Sequence, residues 1–278
     1  MDTAKYGSEF RLSIITPTFN SARTIYTTLE SVIHQDFENF EYIIIDGGSK
    51  DDTVKMVQEY LQNHHEEIEA KRIQVSVQSE PDRGIYDAMN KGIRKASGKI
   101  VGIINSDDWY EDDALRKVWD CYQKTHFDLF YADLRIWSQD EAGNLHERLI
   151  KKARVRKPVV SRDWNHPTMF VRRELYDKYQ YRCESLHDDW DLYLQIRNAG
   201  YRIEVLNEII ANFRLNGTSH EKGLKKSIQR GKERYRIYRR NGFSRWYWFE
   251  CVAIEMAKAF TAKGIIGGRF NSNHINKE

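Results

Sequence analysis

The sequence is poor in cysteine, and its charge is nearly balanced. Cys121, Cys183 and Cys251 stand far apart among 278 residues and form no CxxC pair. That spacing excludes a disulfide framework and a clustered zinc site, and it is typical of a reducing compartment. With 44 Lys and Arg against 41 Asp and Glu, the formal net charge is +3. This balance argues against nucleic-acid binding through bulk electrostatics.

The sequence also lacks a long hydrophobic run. No segment approaches the roughly 18 apolar residues of a membrane span, and the first ten residues, MDTAKYGSEF, lack the apolar core of a signal peptide. We therefore expect a cytoplasmic protein, either free or peripheral on the inner face of the membrane. No GxxxxGK[ST] or GxGxxG motif occurs, so neither a P-loop NTPase nor a classical dinucleotide enzyme is supported.

What the sequence does contain is an alternation of strands and helices. Between the strand-like runs, apolar residues recur at helical spacing, as in Ile25, Leu29, Val32 and Ile33. This order predicts an α/β fold with a mainly parallel central sheet flanked by helices. The alternation ends near residue 138, which predicts a change of subdomain. The predicted strands are short β-branched runs at 12–15, 42–45, 73–77, 100–104 and 129–131.

Polar residues follow each of the first four predicted strands, at positions that we call the strand exits. They occupy residues 16–20, 46–52, 80–84 and 105–108. Because parallel strands end at one edge of the sheet, where such folds bind ligands, we expect these residues to converge. Taken alone, adjacent acids such as Asp107 and Asp108 are common in loops and at helix starts. Convergence of four such exits instead predicts a divalent cation bound with a phosphate-bearing ligand.

Three segments in this order and spacing resemble the nucleotide-binding half of family 2 glycosyltransferases of the GT-A fold. They are SIITPTFNSARTIYTTLESVIHQDFENFEYIIIDGGSKDDT, EPDRGIYDAMNKGI and ASGKIVGIINSDDWYEDDAL. The resemblance covers about residues 10–215 and implies a Rossmann-like GT-A domain there. Residues 10–137 would form the half that binds the nucleotide sugar, and residues 138–215 the acceptor half. Residues 216–278 would form a basic, aromatic, helical C-terminal extension.

The resemblance implies a donor site built from the first three strand exits: Thr16, Pro17, Asp46, Asp82, Arg83 and Gly84. Thr16, Pro17 and Asp46 would hold the base and the ribose, although an Asx-turn is an alternative role for Asp46. Glycine at position 84 would let the backbone pass close to the sugar. Three polar residues of the following helix either contact the donor or only cap and solvate the helix: Asp87, Asn90 and Lys91.

The resemblance also implies a metal site, with Mn²⁺ or Mg²⁺ as the cofactor. Asp108 would ligate the metal that bridges the donor diphosphate, and Asp107 would contact the ribose or a metal-bound water. Such a metal offsets the negative charge that develops on the leaving diphosphate.

An inverting transferase needs a base for the acceptor hydroxyl. The segment ESLHDDWDLYLQIRNAGYRIEVLNEIIANFRLNG resembles the part of the family that carries it. Its second acid, Asp189, is the implied base, with Asp188 and Asp191 as alternates. The family more often has Glu-Asp where this chain has Asp-Asp, so the register stays open. The alternative is an acidic cluster that suits the dipole of a helix N-terminus.

Three further residues are possible ligand contacts. His166 lies in WNHPTMFVRRELYD, before the base helix, and would contact the acceptor or the diphosphate. A structural hydrogen bond beside the proline is its alternative role. Arg214 and His220, in FRLNGTSH, would close over the phosphates.

The tail is basic and then aromatic, with one apolar stripe at helical spacing: Trp246, Phe249, Ala253, Met256 and Phe260. Lys and Arg beside Trp and Tyr suit a helix that lies on an anionic membrane surface. Docking on the catalytic domain or formation of a homodimer would use the same stripe.

The resemblance implies an inverting, metal-dependent transferase that uses a nucleotide sugar, with a UDP-sugar as the expected donor. The implied acceptor is a hydroxyl of a glycan or of a polyprenyl-diphosphate-linked saccharide. A nucleotidyltransferase is a second hypothesis, but it would carry a Gly- and Arg-rich loop where this chain has TPTFN. A third is an inactive sugar-binding scaffold, against which the retained acid pair and base argue.

Overall fold

The computed structural model describes residues 10–140, 142–215 and 224–256. The chain forms two compact units, residues 1–220 and 221–278. The strands that the structure describes all belong to the first unit: β1 Leu12–Thr18, β2 Glu41–Asp46, β3 Gln74–Ser79, β4 Ile100–Ile103, β5 Trp109–Tyr110, β6 Leu129–Gln139, β7 Leu145–Lys151, β8 Phe170–Arg172 and β9 Ile203–Arg214. They form one sheet in the order β3-β2-β1-β4-β8-β6-β9-β5, and β7 pairs with β6.

The helices of the first unit cover the sheet, and they are α1 Ile25–Ile33, α2 Thr53–Asn63, α3 His65–Ala70, α4 Ile85–Lys95, α5 Ala114–Thr125 and α6 Asp188–Asn198. The second unit contains α7 Leu224–Arg240 and a helix over 247–256. None of the described helices is long and apolar enough to cross a membrane.

The first half of the sheet is parallel, and its strands β1, β2 and β4 are buried, as their apolar runs predict, whereas β3 at the edge is largely exposed. β1 pairs in parallel with β2 and β4, so that Ile15 lies beside Ile43 on one side and Ile103 on the other. Every residue of β1 and β2 is buried. The apolar stripe of α1 packs into the same core, with Leu29 and Val32 fully buried. Strands without polar alternation are typical of a sheet covered on both faces.

The second half of the sheet is mixed. β8 is antiparallel to both β4 and β6, whereas β9 runs parallel to β6 with register shifts near Asp133. β6 and β7 form an antiparallel hairpin. This half places the ends of β6 and β9 beside the acid pair after β4.

The second unit packs two helices through an ionic cluster. Glu255 pairs with Arg230 at 3.2 Å and with Arg234 at 3.3 Å, and both Arg234 and Glu255 are buried. The predicted apolar stripe lies on the opposite side of helix 247–256 and is exposed, with Trp246 74% and Phe249 62% accessible. Phe260, the last predicted member of the stripe, lies outside the described residues.

Candidate functional site

A cavity of about 1110 Å³ lies at the carboxyl edge of the parallel strands. All four predicted strand exits contribute to its wall, through Pro17, Gly47, Asp82, Gly84, Asn105 and Asp107. The predicted convergence of polar exits is therefore confirmed. Gln139 and Asp140, from the β6–β7 hairpin, and Leu186, just before α6, line the other side.

The first two exits are joined by hydrogen bonds. The backbone N–H of Asn20 donates to the Ser49 hydroxyl at 2.8 Å, and that of Lys50 donates to the Asn20 side chain at 2.8 Å. Thr18 lines the cavity, and its buried hydroxyl has no hydrogen-bond partner among the described residues. Because a buried polar group without a partner is costly, this hydroxyl is suited to a ligand. Thr18 belongs to the TPTFN segment, but the sequence analysis assigned only Thr16 and Pro17 of that segment to the donor site.

Asp46 and Thr16 are held inside the protein. The Asp46 carboxylate accepts backbone N–H groups of Gly48 at 3.0 Å and Ser49 at 2.9 Å, and the Ser79 hydroxyl at 2.6 Å. Thr16 is buried and shares a 3.1 Å hydrogen bond with the Tyr42 hydroxyl. Within the described part of the cavity wall, neither residue appears. The turn that the sequence offered as an alternative for Asp46 is thus present.

The start of α4 forms another part of the wall. Gly84 has a φ of +114°, a conformation that L-residues with side chains rarely adopt. Its N–H donates to Asp82 at 2.8 Å, and both residues line the cavity. Arg83 is exposed and pairs with Asp87 at 3.4 Å. Of the three predicted donor residues here, two therefore face the cavity.

The two acids after β4 have different environments. Asp107 lines the cavity. The carboxylate of Asp108 is fully buried and accepts the backbone N–H of Arg214 at 3.1 Å and the Asn105 amide at 3.3 Å. Burial raises the pKa of both acids, and the charge of Asp107 raises that of Asp108 further.

Arg214 brings a cation to this acid pair. Its Nε donates to the Asp107 carbonyl at 3.2 Å, and its guanidinium lies 5.4 Å from the Trp109 ring centre. Arg214 also lines the cavity. The predicted phosphate contact through this residue is therefore sterically available. His220, its predicted companion, lies outside the described residues.

The donor set suits a hard cation that is completed by a substrate. Among the residues that the structure describes, no three His, Cys, Asp or Glu side chains gather into a metal site. One carboxylate on the wall of a cavity large enough for phosphates still fits Mg²⁺ or Mn²⁺, which take most ligands from phosphates and water. Asp107 meets that condition.

The three acids at the start of α6 are also distinct. Asp188 accepts the backbone N–H groups of Glu184 at 2.7 Å and Ser185 at 3.2 Å, and Asp191 pairs with Arg182 at 2.8 Å. Asp188 and Asp191 are both buried, whereas Asp189 is partly exposed. The geometry therefore favours Asp189 over its two alternates as the most accessible of the three, although the described cavity wall reaches only Leu186 in this segment.

Burial raises the pKa of Asp189, while the positive charge of His166, the backbone N–H of Trp190 at 2.7 Å and the nearby Tyr86 hydroxyl oppose that rise. His166 itself shares a 3.0 Å hydrogen bond with the Tyr181 hydroxyl, and burial lowers its pKa. A carboxyl of raised pKa is a stronger base once ionised. The sequence analysis did not predict a role for Tyr86 in the site, because in the sequence it is one aromatic residue inside an amphipathic helix.

A family model described as glycosyl transferase family 2 matches residues 13–209, well over half of the chain. The chain belongs to this family. The family predicted from the three sequence segments is thereby confirmed.

Family 2 relatives come from several bacteria. Chondroitin synthase of Escherichia coli is 29% identical over 217 residues, which cover 74% of this chain and 29% of that protein. The putative teichuronic acid biosynthesis glycosyltransferase TuaG of Bacillus subtilis is 26% identical over 242 residues, covering 85% of this chain and 92% of TuaG. This chain thus spans less than a third of the chondroitin synthase and nearly all of TuaG.

Solved structures share the fold at low sequence identity. S. aureus TarS 1–349 in complex with UDP-GlcNAc is similar with a TM-score of 0.62 and 17% identity, covering 91% of this chain and 73% of that one. The mannosyltransferase PcManGT from Pyrobaculum calidifontis, in complex with GDP-Man and Mn²⁺, also has a TM-score of 0.62 and 17% identity. This match covers 94% of this chain and 77% of PcManGT. The match to a longer TarS structure covers 46% of the length of that TarS chain. The predicted GT-A fold is confirmed.

Proposed function

We propose that this family 2 member is an inverting, metal-dependent glycosyltransferase. It moves a sugar from a nucleotide-sugar donor, with UDP-sugars as first candidates, to a hydroxyl of a glycan or polyprenyl-diphosphate-linked saccharide. The observation that carries the proposal is one cavity joining the strand exits, Asp107 and Arg214 to Leu186, three residues before Asp189. The TarS complex with UDP-GlcNAc and the PcManGT complex with GDP-Man and Mn²⁺ support a nucleotide-sugar donor.

In this proposal Asp107 would hold the metal, Mn²⁺ or Mg²⁺. The resemblance to the family implied Asp108 as the ligand. The geometry favours Asp107 instead, because the Asp108 carboxylate is buried against the Arg214 backbone. Asp108 then orients the loop on which Asp107 lies. When bound, the metal would offset the charge of the leaving diphosphate. Arg214, beside Asp107, adds a positive charge at the same place.

Asp189 is the base of the proposed reaction. It takes the proton of the acceptor hydroxyl while that oxygen forms a bond to the anomeric carbon and the bond to the diphosphate breaks. Attack from the face opposite the leaving group inverts the configuration. A positioned base contributes about 10²–10⁴-fold to such a rate.

The proposal is tested by calorimetric titration with UDP and GDP, each with Mn²⁺ and again with EDTA. We expect one nucleotide to bind in a metal-dependent manner, and Asp107→Asn to weaken that binding by about tenfold or more, because a charged ligand is lost. Asp112→Asn, an exposed acid nearby, is the matched control. Absence of binding by either nucleotide contradicts the proposal.

Turnover separates the enzyme from the two other hypotheses. With a donor sugar chosen by the bound nucleotide, Asp189→Asn should retain UDP or GDP affinity and lose about 10²-fold or more of the rate. A wild-type protein that binds a nucleotide sugar without turnover would be a scaffold. Release of pyrophosphate from a nucleoside triphosphate would instead indicate a nucleotidyltransferase.

We also propose that the second unit contacts an anionic membrane surface on the cytoplasmic side. The exposed stripe that includes Trp246, Phe249 and Met256 supports this contact, as does the excess of Lys and Arg over Asp and Glu after residue 220. Aromatic side chains beside cations are typical of interfacial helices. A homodimer formed through the same stripe is the alternative.

A further inference from the structure

Helix α4 contacts both halves of the candidate site. Ile85 and Ala88, three residues apart on one face, line the cavity that Gly84 and Asp82 also line. Tyr86 and Asn90, four residues apart, form a second row that contacts the segment 181–186 before α6. Residues three or four apart share a helix face. The helix therefore lies between the donor cavity and the segment that leads to Asp189.

Asn90 is bonded to the backbone of a single residue across this contact. Its amide Nδ2 donates to the Tyr181 carbonyl at 2.7 Å, and its Oδ1 accepts the Tyr181 N–H at 3.2 Å. Asn90 is 7% exposed. A buried amide that satisfies both backbone groups of one residue fixes the distance between two chain segments, because breaking it leaves buried polar groups without partners.

Tyr86 makes two further contacts with the same segment. Its ring stacks on the ring of Tyr181, with centres 5.3 Å apart and planes 19° apart. Its hydroxyl donates to the Leu186 carbonyl at 3.1 Å and lies close enough to influence the Asp189 carboxyl. The hydroxyl of Tyr181, in turn, is bonded to His166. The contacts of α4 thus extend, through Tyr181, to the groups around Asp189.

We propose that α4 couples occupancy of the donor cavity to the position of the Asp189 carboxylate, with Tyr86 and Asn90 as positioning residues. This inference rests on the proposed function, because it treats the cavity as the donor site. A ligand that orders the Gly84 end of α4 orders segment 181–189 through the Asn90 bonds and the Tyr86 contacts. The base is then aligned when a donor is present.

Hydrogen–deuterium exchange on the full chain tests the coupling without knowledge of the acceptor. UDP or GDP with Mn²⁺ is the probe, and peptides covering 82–95 and 181–189 are the readout. In the wild type we expect ligand to slow exchange in both regions, by about fivefold or more at 181–189, the lower end of typical couplings between sites. In Tyr86→Phe and Asn90→Asp, slowing should persist at 82–95 and be lost at 181–189.

Tyr26→Phe is the matched control, because it removes a phenol hydroxyl from α1 at a half-exposed position outside the cavity wall. It should behave as the wild type. If Asn90→Asp does not fold, Tyr86→Phe, which keeps the ring, carries the test. Protection of 82–95 without protection of 181–189 in the wild type overturns the coupling alone. Failure of both nucleotides to protect 82–95 overturns the coupling together with the proposed function.

Discussion

Each acid at the start of α6 has its own partner, and the partner decides what that acid is able to do. The carboxylates of Asp188 and Asp191 are occupied by backbone N–H groups and by Arg182. Asp189 is the one beside His166 and Tyr86. A base must be ionised to accept a proton, so the rate should fall as the pH drops through the pKa of Asp189.

Replacement of His166 should move this pH dependence in a defined direction. Burial raises the pKa of Asp189, and the His166 charge holds it down. His166→Gln removes the opposing charge, so the pKa of Asp189 rises and the acid limb of the kcat profile moves to higher pH. The measurement is kcat against pH at saturating donor and acceptor.

His65→Gln, which changes an exposed histidine on α3, should leave the limb where it is. An acid limb that stays in place or moves downward in His166→Gln would show that the titrating base is not the carboxylate beside His166.

At the level of single residues, the sequence identifies which acids converge but not which of them are free to bind. Asp46 and Asp108 follow strands just as Asp107 does. Asp46 accepts hydrogen bonds from Gly48 and Ser49, and Asp108 accepts one from Arg214. Neither carboxylate lies on the described cavity wall. Those bonds form only in the folded chain, because Arg214 reaches Asp108 across 106 positions. Spacing along the sequence does not contain that information.

Among the elements, α4 depends on a glycine for its distance from the sheet. A Cβ on Gly92 would lie 2.5 Å from Cγ2 of Ile15 in β1. Gly92→Ala should therefore push α4 away from β1 and lower the free energy of unfolding by about 1–3 kcal/mol, the usual cost of overpacking a core. The midpoint of urea denaturation measures this change.

Gly231→Ala in α7 is the matched control, because its Cβ would meet Glu255 Cγ at an ordinary 3.6 Å and no other described atom within 4 Å. Alanine in a helix with room is expected to stabilise it by about 0.5–1 kcal/mol. A Gly92→Ala protein as stable as the wild type would mean that β1 and α4 adjust without cost.

Elements of the first half were predictable because burial on both faces makes their strands apolar. β1 and β2 contain the runs that the sequence indicated, and β4 covers its run except for the last residue, Ile104. The strands of the second half carry weaker signals. β8 has three residues and β5 two, whereas most residues of β7 are exposed and show no apolar alternation. Their pairing partners lie far away in sequence, and a local pattern does not specify them.

For the molecule as a whole, charge and apolar surface are divided unequally between the two units. The second unit has 14 Lys and Arg against 5 Asp and Glu, whereas the first has 30 against 36. The second unit also turns an ionic cluster inward and an aromatic stripe outward. Burial of Arg234 and Glu255 beside exposure of Trp246 and Phe249 reverses the usual distribution. Such a surface is costly in water unless a lipid or protein surface covers it.

Flotation with lipid vesicles tests the membrane contact proposed for this stripe. We expect the full chain to bind vesicles of phosphatidylglycerol and phosphatidylcholine, to bind phosphatidylcholine alone poorly, and to dissociate as salt rises. Trp246→Ser with Phe249→Ser should weaken binding by about tenfold or more, since each buried aromatic side chain contributes about 1.5–3 kcal/mol.

Leu149→Ser with Ile150→Ser is the control, because it removes exposed apolar side chains from β7 in the first unit. These changes should leave vesicle binding unaltered if the stripe, rather than general hydrophobicity, makes the contact. Sedimentation of the same proteins without lipid tests the alternative, which is a homodimer formed through the stripe. A dimer that the Trp246 and Phe249 double variant dissociates, with no wild-type binding to anionic vesicles, would assign the stripe to a second copy of the chain. The membrane proposal would then be wrong.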